Sequence, residues 1–135
     1  MTLVGSRLTK RFAVAAIALM ACAGSLWAQA STRPGMGAVP YSGGVTFRVW
    51  APNASAVRVA GTFNSFSATA TPLYAEAGGN WSVDVPGATE GQQYKFVLVN
   101  GANTIWKKDP RGREVVNSVG NSIIRGNTFD WSVYG

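Results

Sequence analysis

The stretch Val45-Thr46-Phe47-Arg48-Val49-Trp50-Ala51-Pro52-Asn53 decides the fold. Val45, Phe47 and Val49 recur at every second residue, with Thr46, Arg48 and Trp50 between them, and that period belongs to a strand rather than a helix. Ala51-Pro52-Asn53 then stops the strand, because proline fixes its own φ and offers no N–H to a neighbour. The same period continues outward: Val57 and Val59 flank Arg58, Trp81, Val83 and Val85 alternate with Ser82 and Asp84, and Tyr94, Phe96 and Leu98 alternate with Lys95, Val97 and Val99. Turn residues separate these runs at 61–64, Gly78-Gly79-Asn80, Pro86-Gly87 and Asn100-Gly101. Asn100-Gly101-Ala102-Asn103 reads as a hairpin loop that returns into Ile105 and Trp106, and a last strand is expected at 122–125. About seven short strands, with no helical period of useful length, predict an all-β fold, an immunoglobulin-like β-sandwich over residues 45–135.

The beginning of the chain reads differently. Arg7, Lys10 and Arg11 precede a nearly uncharged apolar run at 12–28, which ends in Ala28-Gln29-Ala30. A basic start, a short apolar stretch and a small-x-small ending predict a secretory signal peptide over 1–30, cut after Ala30, and hence export to a periplasm or the medium. The run is shorter than the roughly twenty apolar residues that a membrane span needs, and Gly24 and Ser25 interrupt it, so no stable membrane span is expected. Leu19-Met20-Ala21-Cys22 also resembles a lipobox, the alternative being a lipid on Cys22. Residues 31–44, with Pro34, Gly35, Gly37, Pro40, Gly43 and Gly44, predict a flexible lead-in to the sandwich.

Composition then excludes several kinds of chemistry. The 135 residues contain no histidine, and the single cysteine, Cys22, lies in the leader. That leaves no disulfide, no Ser-His-Asp triad and no conventional zinc site for the sandwich, and neither a metal nor a cofactor is expected. Hydrolysis of a glycosidic bond needs two carboxyls held about 5–9.5 Å apart. Glu76, Asp84, Glu90, Asp109, Glu114 and Asp130 are scattered over turns and wet strand positions without forming a recognisable pair, so no catalytic residue is assigned. Three of the twelve basic residues belong to the leader, and the remaining nine against six acids make no stripe fit for nucleic acid.

The string from Gly44 to Ala54, followed by Val57-Arg58-Val59-Ala60-Gly61-Thr62-Phe63-Asn64, resembles the N-terminal early-set domain of glycoside hydrolase family 13 enzymes, among them glycogen branching enzymes, isoamylases and some amylases. Gly91-Gln92-Gln93-Tyr94-Lys95-Phe96, then Trp106, then Asp109-Pro110-Arg111-Gly112-Arg113-Glu114 match in the same order. That domain is classed as a family 48 carbohydrate-binding module and is similar to the glycogen-binding domain of the AMP-activated kinase β subunit. The resemblance implies a non-catalytic sandwich that binds α-1,4-glucans such as starch or glycogen, with a separate family 13 catalytic domain as a possible partner. It also implies sugar contacts at Trp106, Lys95, Phe66 and Asn121.

Elementary chemistry agrees with those residue types. A glucose ring has an apolar face of C–H bonds and a rim of hydroxyls, which calls for an exposed aromatic plane beside donors and acceptors. Lys95 lies opposite Tyr94, Phe96 and Leu98 in strand parity, and Trp106 lies opposite Ile105. Phe66 stands where glucan-binding members carry tryptophan, and Phe63 and Phe66 also suit a plug at the sandwich end. Trp50 and Trp81 are expected in or at the edge of the core, Trp131 is expected exposed where a barrel would begin, and Asp109-Pro110 is expected to form a turn. Two alternatives remain open on the sequence: an N-terminal piece of a secreted family 13 enzyme whose barrel lies beyond Gly135, and a sandwich that docks another protein.

Overall fold

The computed structural model describes residues 29–126. The leader's basic start, its apolar run and Cys22 lie outside the described residues, as do Asp130 and Trp131.

The alternating runs form two antiparallel sheets. Strands β1 (Gly37–Tyr41), β2 (Gly44–Trp50), β4 (Tyr74–Ala75) and β5 (Asn80–Pro86) make the first sheet, in the order β1-β2-β5-β4. Strands β3 (Ala56–Gly61), β6 (Gln93–Asn100), β8 (Glu114–Val115) and β9 (Ser122–Ile123) make the second, in the order β3-β6-β9-β8. Strand β7 (Asn103–Lys107) also pairs with β6 and shares one of its edges with β9. β7 takes Phe96 to Asn100, and β9 takes Gln93 and Tyr94. The two sheets face each other as the expected sandwich, and the last strand is shorter than expected, ending at Ile123.

Inward parity builds the core. Val45, Phe47 and Val49 of β2, Val57 and Val59 of β3, and Tyr94 and Phe96 of β6 are all buried, with Leu73, Ala88 and Ile124 sealing the ends. The Phe47 ring lies 5.3 Å from Phe63, 5.1 Å from Tyr94 and 6.5 Å from Phe96, the latter two edge-on, as the aromatic quadrupole prefers. Each such side chain removed from water contributes about 1.5–3 kcal/mol, which lets a sandwich without disulfides hold together.

The expected flexible lead-in at 31–44 is instead ordered. Residues 37–41 form β1, which pairs with β2 from Gly37↔Arg48 to Tyr41↔Gly44. Pro40 is compatible with this because β1 is an edge strand, where a missing N–H breaks no ladder. Residues ahead of β1 lie across the outer face of the first sheet. The Ser31 amide donates to Ser82 Oγ (2.8 Å), and Ser31 Oγ and Thr46 Oγ1 both donate to Asp84 Oδ1 (2.6 Å each). Arg48 locks this cover in place: it forks onto Glu76 through Nε (2.7 Å) and Nη2 (3.2 Å), and donates to the carbonyls of Gly35 (2.7 Å) and Ser31 (3.2 Å). The face of Thr46, Arg48 and Ser82, expected to be at least partly wet, is therefore buried.

One buried acid ties the second sheet together. Tyr94 donates its hydroxyl to Asp109 Oδ2 (2.5 Å), the Arg111 amide donates to Oδ1 (2.8 Å), and the Asp109 amide donates to Ser122 Oγ (3.1 Å). Asp109-Pro110 is thus the expected turn, and it is also an anchor in the interior. Burial raises the Asp109 carboxyl above its ordinary range, opposed by the Tyr94 hydroxyl and the Arg111 amide, and burial beside that carboxylate raises the Tyr94 phenol strongly. Because the folded value for Asp109 lies above the unfolded one, its ionised form costs stability at neutral pH, and that cost fades as acid protonates it. Removing the Tyr94 hydroxyl should raise the carboxyl further. Tyr94→Phe is expected to lose about 1.5–3 kcal/mol at pH 7 and clearly less at pH 3, as measured by urea unfolding. Equal losses at the two pH values would contradict this account.

Candidate functional site

The outer face of the second sheet collects most of the residues singled out in the sequence. Trp106 of β7 pairs with Val97 of β6, so the two side chains share a face, and Lys95 lies on that face two residues before Val97. Ala60 pairs with Lys95, and Arg58 pairs with Val97, from the β3 side. Val97 and Ala60 are fully buried although they point away from the core, so they form an apolar floor. Trp106 stands beside that floor, 44% exposed, in a strand whose residues are all exposed. Lys95 is half-buried.

Asn121 reaches the same face from the other end of the β6 edge. Ser122 pairs with Tyr94, which puts Asn121 level with Lys95, and Asn121 Nδ2 donates to Gln93 Oε1 (2.9 Å). Its loop is closed by Asn117, whose side chain accepts from the Val119 amide (3.1 Å), and by the Val116 amide donating to the Asn121 carbonyl (3.0 Å). Val119 at the tip of this loop is 81% exposed, and Lys108 Nζ holds the loop by donating to the Ser118 carbonyl (2.7 Å).

Phe66 sits at the β3 rim of this face rather than beside Trp106. The loop that carries it is organised by Asn64, whose Oδ1 accepts from the Gly61 amide (3.0 Å) while Nδ2 donates to the Val59 carbonyl and to Thr71 Oγ1 (2.9 Å each). The Phe66 amide donates back to the Gly61 carbonyl (2.8 Å). Ser65 and Phe66 both take left-handed backbone angles, with φ of 56° and 54°, a conformation that costs about 1–3 kcal/mol per non-glycine residue and must be enforced by the surrounding bonds. Phe66 is half-buried, whereas Phe63 packs on Phe47 and is the plug.

Gln93 joins the parts. Its backbone amide accepts the company of the β3 turn by donating to Thr62 Oγ1 (3.1 Å), and its side chain receives Asn121. Gln93 is not among the site residues expected from the sequence, although strand parity with Lys95 places it on the same face. Trp50 is a second residue of this kind. Expected in or near the core, it is 63% exposed, because its Nε1 donates to the Gly78 carbonyl (3.0 Å) and pins the indole over the Gly78-Gly79 turn instead of beneath the sheet. It lines a groove of about 570 Å³ with Lys95, Leu98, Trp106, Lys107 and Val119, and so borders the face that carries Trp106 and Lys95. Trp81 is partly buried against the core, as expected, with its Nε1 donating to the Ala51 carbonyl (3.0 Å).

The arrangement supplies an aromatic plane, an ammonium group and two amides on one surface, which suits a neutral polyhydroxyl ligand. Four of the five described carboxylates are committed elsewhere, Glu76 to Arg48, Asp84 to Ser31 and Thr46, Asp109 to Tyr94, and Glu114 to Arg125, and the fifth, Glu90, is exposed and acts on Arg125 through its charge. Among the described residues no three acidic side chains gather as a metal would require.

The family model for carbohydrate-binding module 48 (isoamylase N-terminal domain) matches residues 35–112. The chain is 41% identical over 93 residues to a 1,4-alpha-glucan branching enzyme, GlgB 1, of Streptomyces avermitilis, covering 66% of this chain and 11% of the enzyme. It is 42% identical over 94 residues to the branching enzyme GlgB of Deinococcus radiodurans, covering 68% and 13%. It therefore spans a small fraction of the length of these relatives. Among solved structures, pullulanase type I from Bacillus subtilis, complexed with maltose, superposes with a TM-score of 0.62 at 22% identity, over 76% of this chain and 14% of the pullulanase. Ligand-free PulA from Klebsiella pneumoniae gives 0.56 at 25% identity, over 67% and 9%.

The loop bearing Phe66 depends on a glycine for space rather than for an unusual backbone angle. A Cβ on Gly61 would lie 2.4 Å from Phe63 Cε1 and 2.6 Å from the Gln93 carbonyl oxygen, and the second of these is backbone that cannot swing aside. Gly61→Ala is expected to cost about 1–3 kcal/mol, read as a lower urea midpoint. An unchanged midpoint would show that β3 and β6 are not held this closely.

Proposed function

Since this chain belongs to the carbohydrate-binding module 48 family, we propose that it is a non-catalytic, exported module that binds α-1,4-glucan on the outer face of its second sheet. The observation that carries this reading is Trp106, an indole left open beside the buried floor of Val97 and Ala60. The pyranose stacks its C–H face on that indole, while Lys95, Asn121 and Gln93 exchange water for the sugar's hydroxyls. Phe66 adds a second, smaller plane from the rim. Few atoms are desolvated on such a shallow surface, so dissociation constants of about micromolar to millimolar are expected.

A second reading is favoured by one specific observation, the exposed Trp50 beside Ile105, which is itself 49% exposed. Here the hollow lined by Trp50, Leu98 and Ile105 packs against a family 13 catalytic domain, in keeping with relatives many times longer than this chain. The two readings meet at Trp50, which lines one groove with Trp106 and Lys95 and a second hollow of about 400 Å³ with Ala51, Leu98 and Ile105.

Affinity electrophoresis in amylopectin gels separates them. Wild type should be retarded relative to a glucan-free gel, Trp106→Ala should lose about tenfold or more in affinity, and Phe66→Trp should gain. Trp50→Ala, at the border of the same groove, should lose less affinity than Trp106→Ala. Migration of wild type unaffected by glucan would overturn the binding proposal, and retardation lost in Trp50→Ala but kept in Trp106→Ala would move the sugar to the hollow of Trp50 and Ile105.

A further inference from the structure

We propose that cleavage between Ala30 and Ser31 is a maturation step used by the fold itself, because the α-ammonium it creates on Ser31 docks into a seat formed by Ser82 and Asp84. Two independent observations meet at this bond. The small-x-small motif Ala28-Gln29-Ala30 ends there, and Ser31 is the residue at which the first sheet's cover takes hold, only 8% exposed. Its nitrogen already donates to Ser82 Oγ (2.8 Å), its hydroxyl to Asp84 Oδ1 (2.6 Å), and its carbonyl accepts from Arg48 Nη2 (3.2 Å).

The chemistry is amide hydrolysis by a leader peptidase with water: the Ala30 C–N bond breaks, Ala30 leaves as a carboxylate, and Ser31 keeps its nitrogen as an amine that takes up a proton. An amide offers one hydrogen and an ammonium offers three. One stays on Ser82 Oγ, and the added positive charge lies beside the Asp84 carboxylate, whose other cationic neighbour, Arg33 Nε, is 3.8 Å away. Ala30 and Gln29 line a hollow of about 400 Å³ with Tyr74 and Asp84, and their departure opens it to water that can take a remaining hydrogen. The Ser31 nitrogen is covered once the sheet has formed, so the cut precedes folding.

The charged groups around the seat are Asp84 from β5, Arg48 from β2 with Glu76 as its partner, Arg33 on the same segment and Tyr41 from β1. The Arg33 guanidinium lies over the Tyr41 ring (3.8 Å). Burial, and then the Asp84 carboxylate, raises the Tyr41 phenol above its ordinary value. An ammonium next to Asp84 has a folded pKa above the unfolded value of about 7.7–8.0. Its contribution is therefore complete below that unfolded value and is lost as the pH rises through the folded one.

The test has two arms. The full chain is exported from a bacterial host and its N-terminus read by intact mass; Ser31 is expected, and a start at any other residue overturns the proposal. Chains beginning at Ser31 and at Ala30, both released from the same cleavable tag, are then melted. The Ser31 chain should melt about 4–8 °C higher at pH 6.5, with the gap closing by pH 10 and absent when both carry Asp84→Asn. Equal melting at pH 6.5, or a gap that survives Asp84→Asn or pH 10, overturns it. Glucan binding enters neither arm.

Discussion

A buried carboxylate has to be bonded, and the bonds of Asp109 determine where the rest of the second sheet's edge lies. The Tyr94 hydroxyl donates to it from the middle of the core, and its own amide donates to Ser122 Oγ. The chain is thereby fixed at both ends of the 109–122 excursion, against the same strand β6. Trp106 lies three residues before the first fixed point, and Asn121 one residue before the second. Neither residue contributes to the core, yet both are placed by it. The first strand passes close to the same point, where a Cβ on Gly37 would stand 3.0 Å from Asp109 Oδ2.

The two outer faces of the sandwich have opposite fates. The first is polar at Thr46, Arg48, Ser82 and Asp84, and the chain ahead of β1 closes over it with hydrogen bonds to each of these side chains or their partners. The second carries a tryptophan, a lysine and two amides above a small apolar floor, and no comparable segment of the described residues is bonded across it. A polar face covered by its own chain is structural. A mixed aromatic and polar face held rigid from beneath suits recognition, because little ordering entropy remains to be lost when a ligand arrives.

Much of this was legible in the sequence because alternation is local. The parity of Val45, Phe47 and Val49 placed β2, and the parity of Tyr94, Lys95 and Phe96 put Lys95 outward before any pairing was known. Trp106 against Ile105 followed the same rule. What failed depends on contacts distant in the chain. Pro40 and four nearby glycines read as breakers, but an edge strand tolerates them, so nothing local marks β1 as a strand. Arg48 and Glu76 are 28 residues apart, and nothing local marks them as partners. Trp50 has outward parity, yet whether it is covered depends on the Gly78-Gly79 turn, which pins the indole at its edge. Gln93, two residues before Lys95, shares its parity, so its place on the face is legible, whereas its bond to Asn121 is not.

The central claim is that glucan rests on the Trp106 face of the second sheet. The most direct measurement is a ¹H–¹⁵N NMR titration of the protein with maltoheptaose. The shifts are expected to concentrate at the Trp106 indole and at the Gln93, Lys95, Val97 and Asn121 amides, with a smaller shift at the Trp50 indole on the groove's border and none at the Trp81 indole. Shifts at Trp50 without Trp106, or no shifts at millimolar sugar, would contradict it.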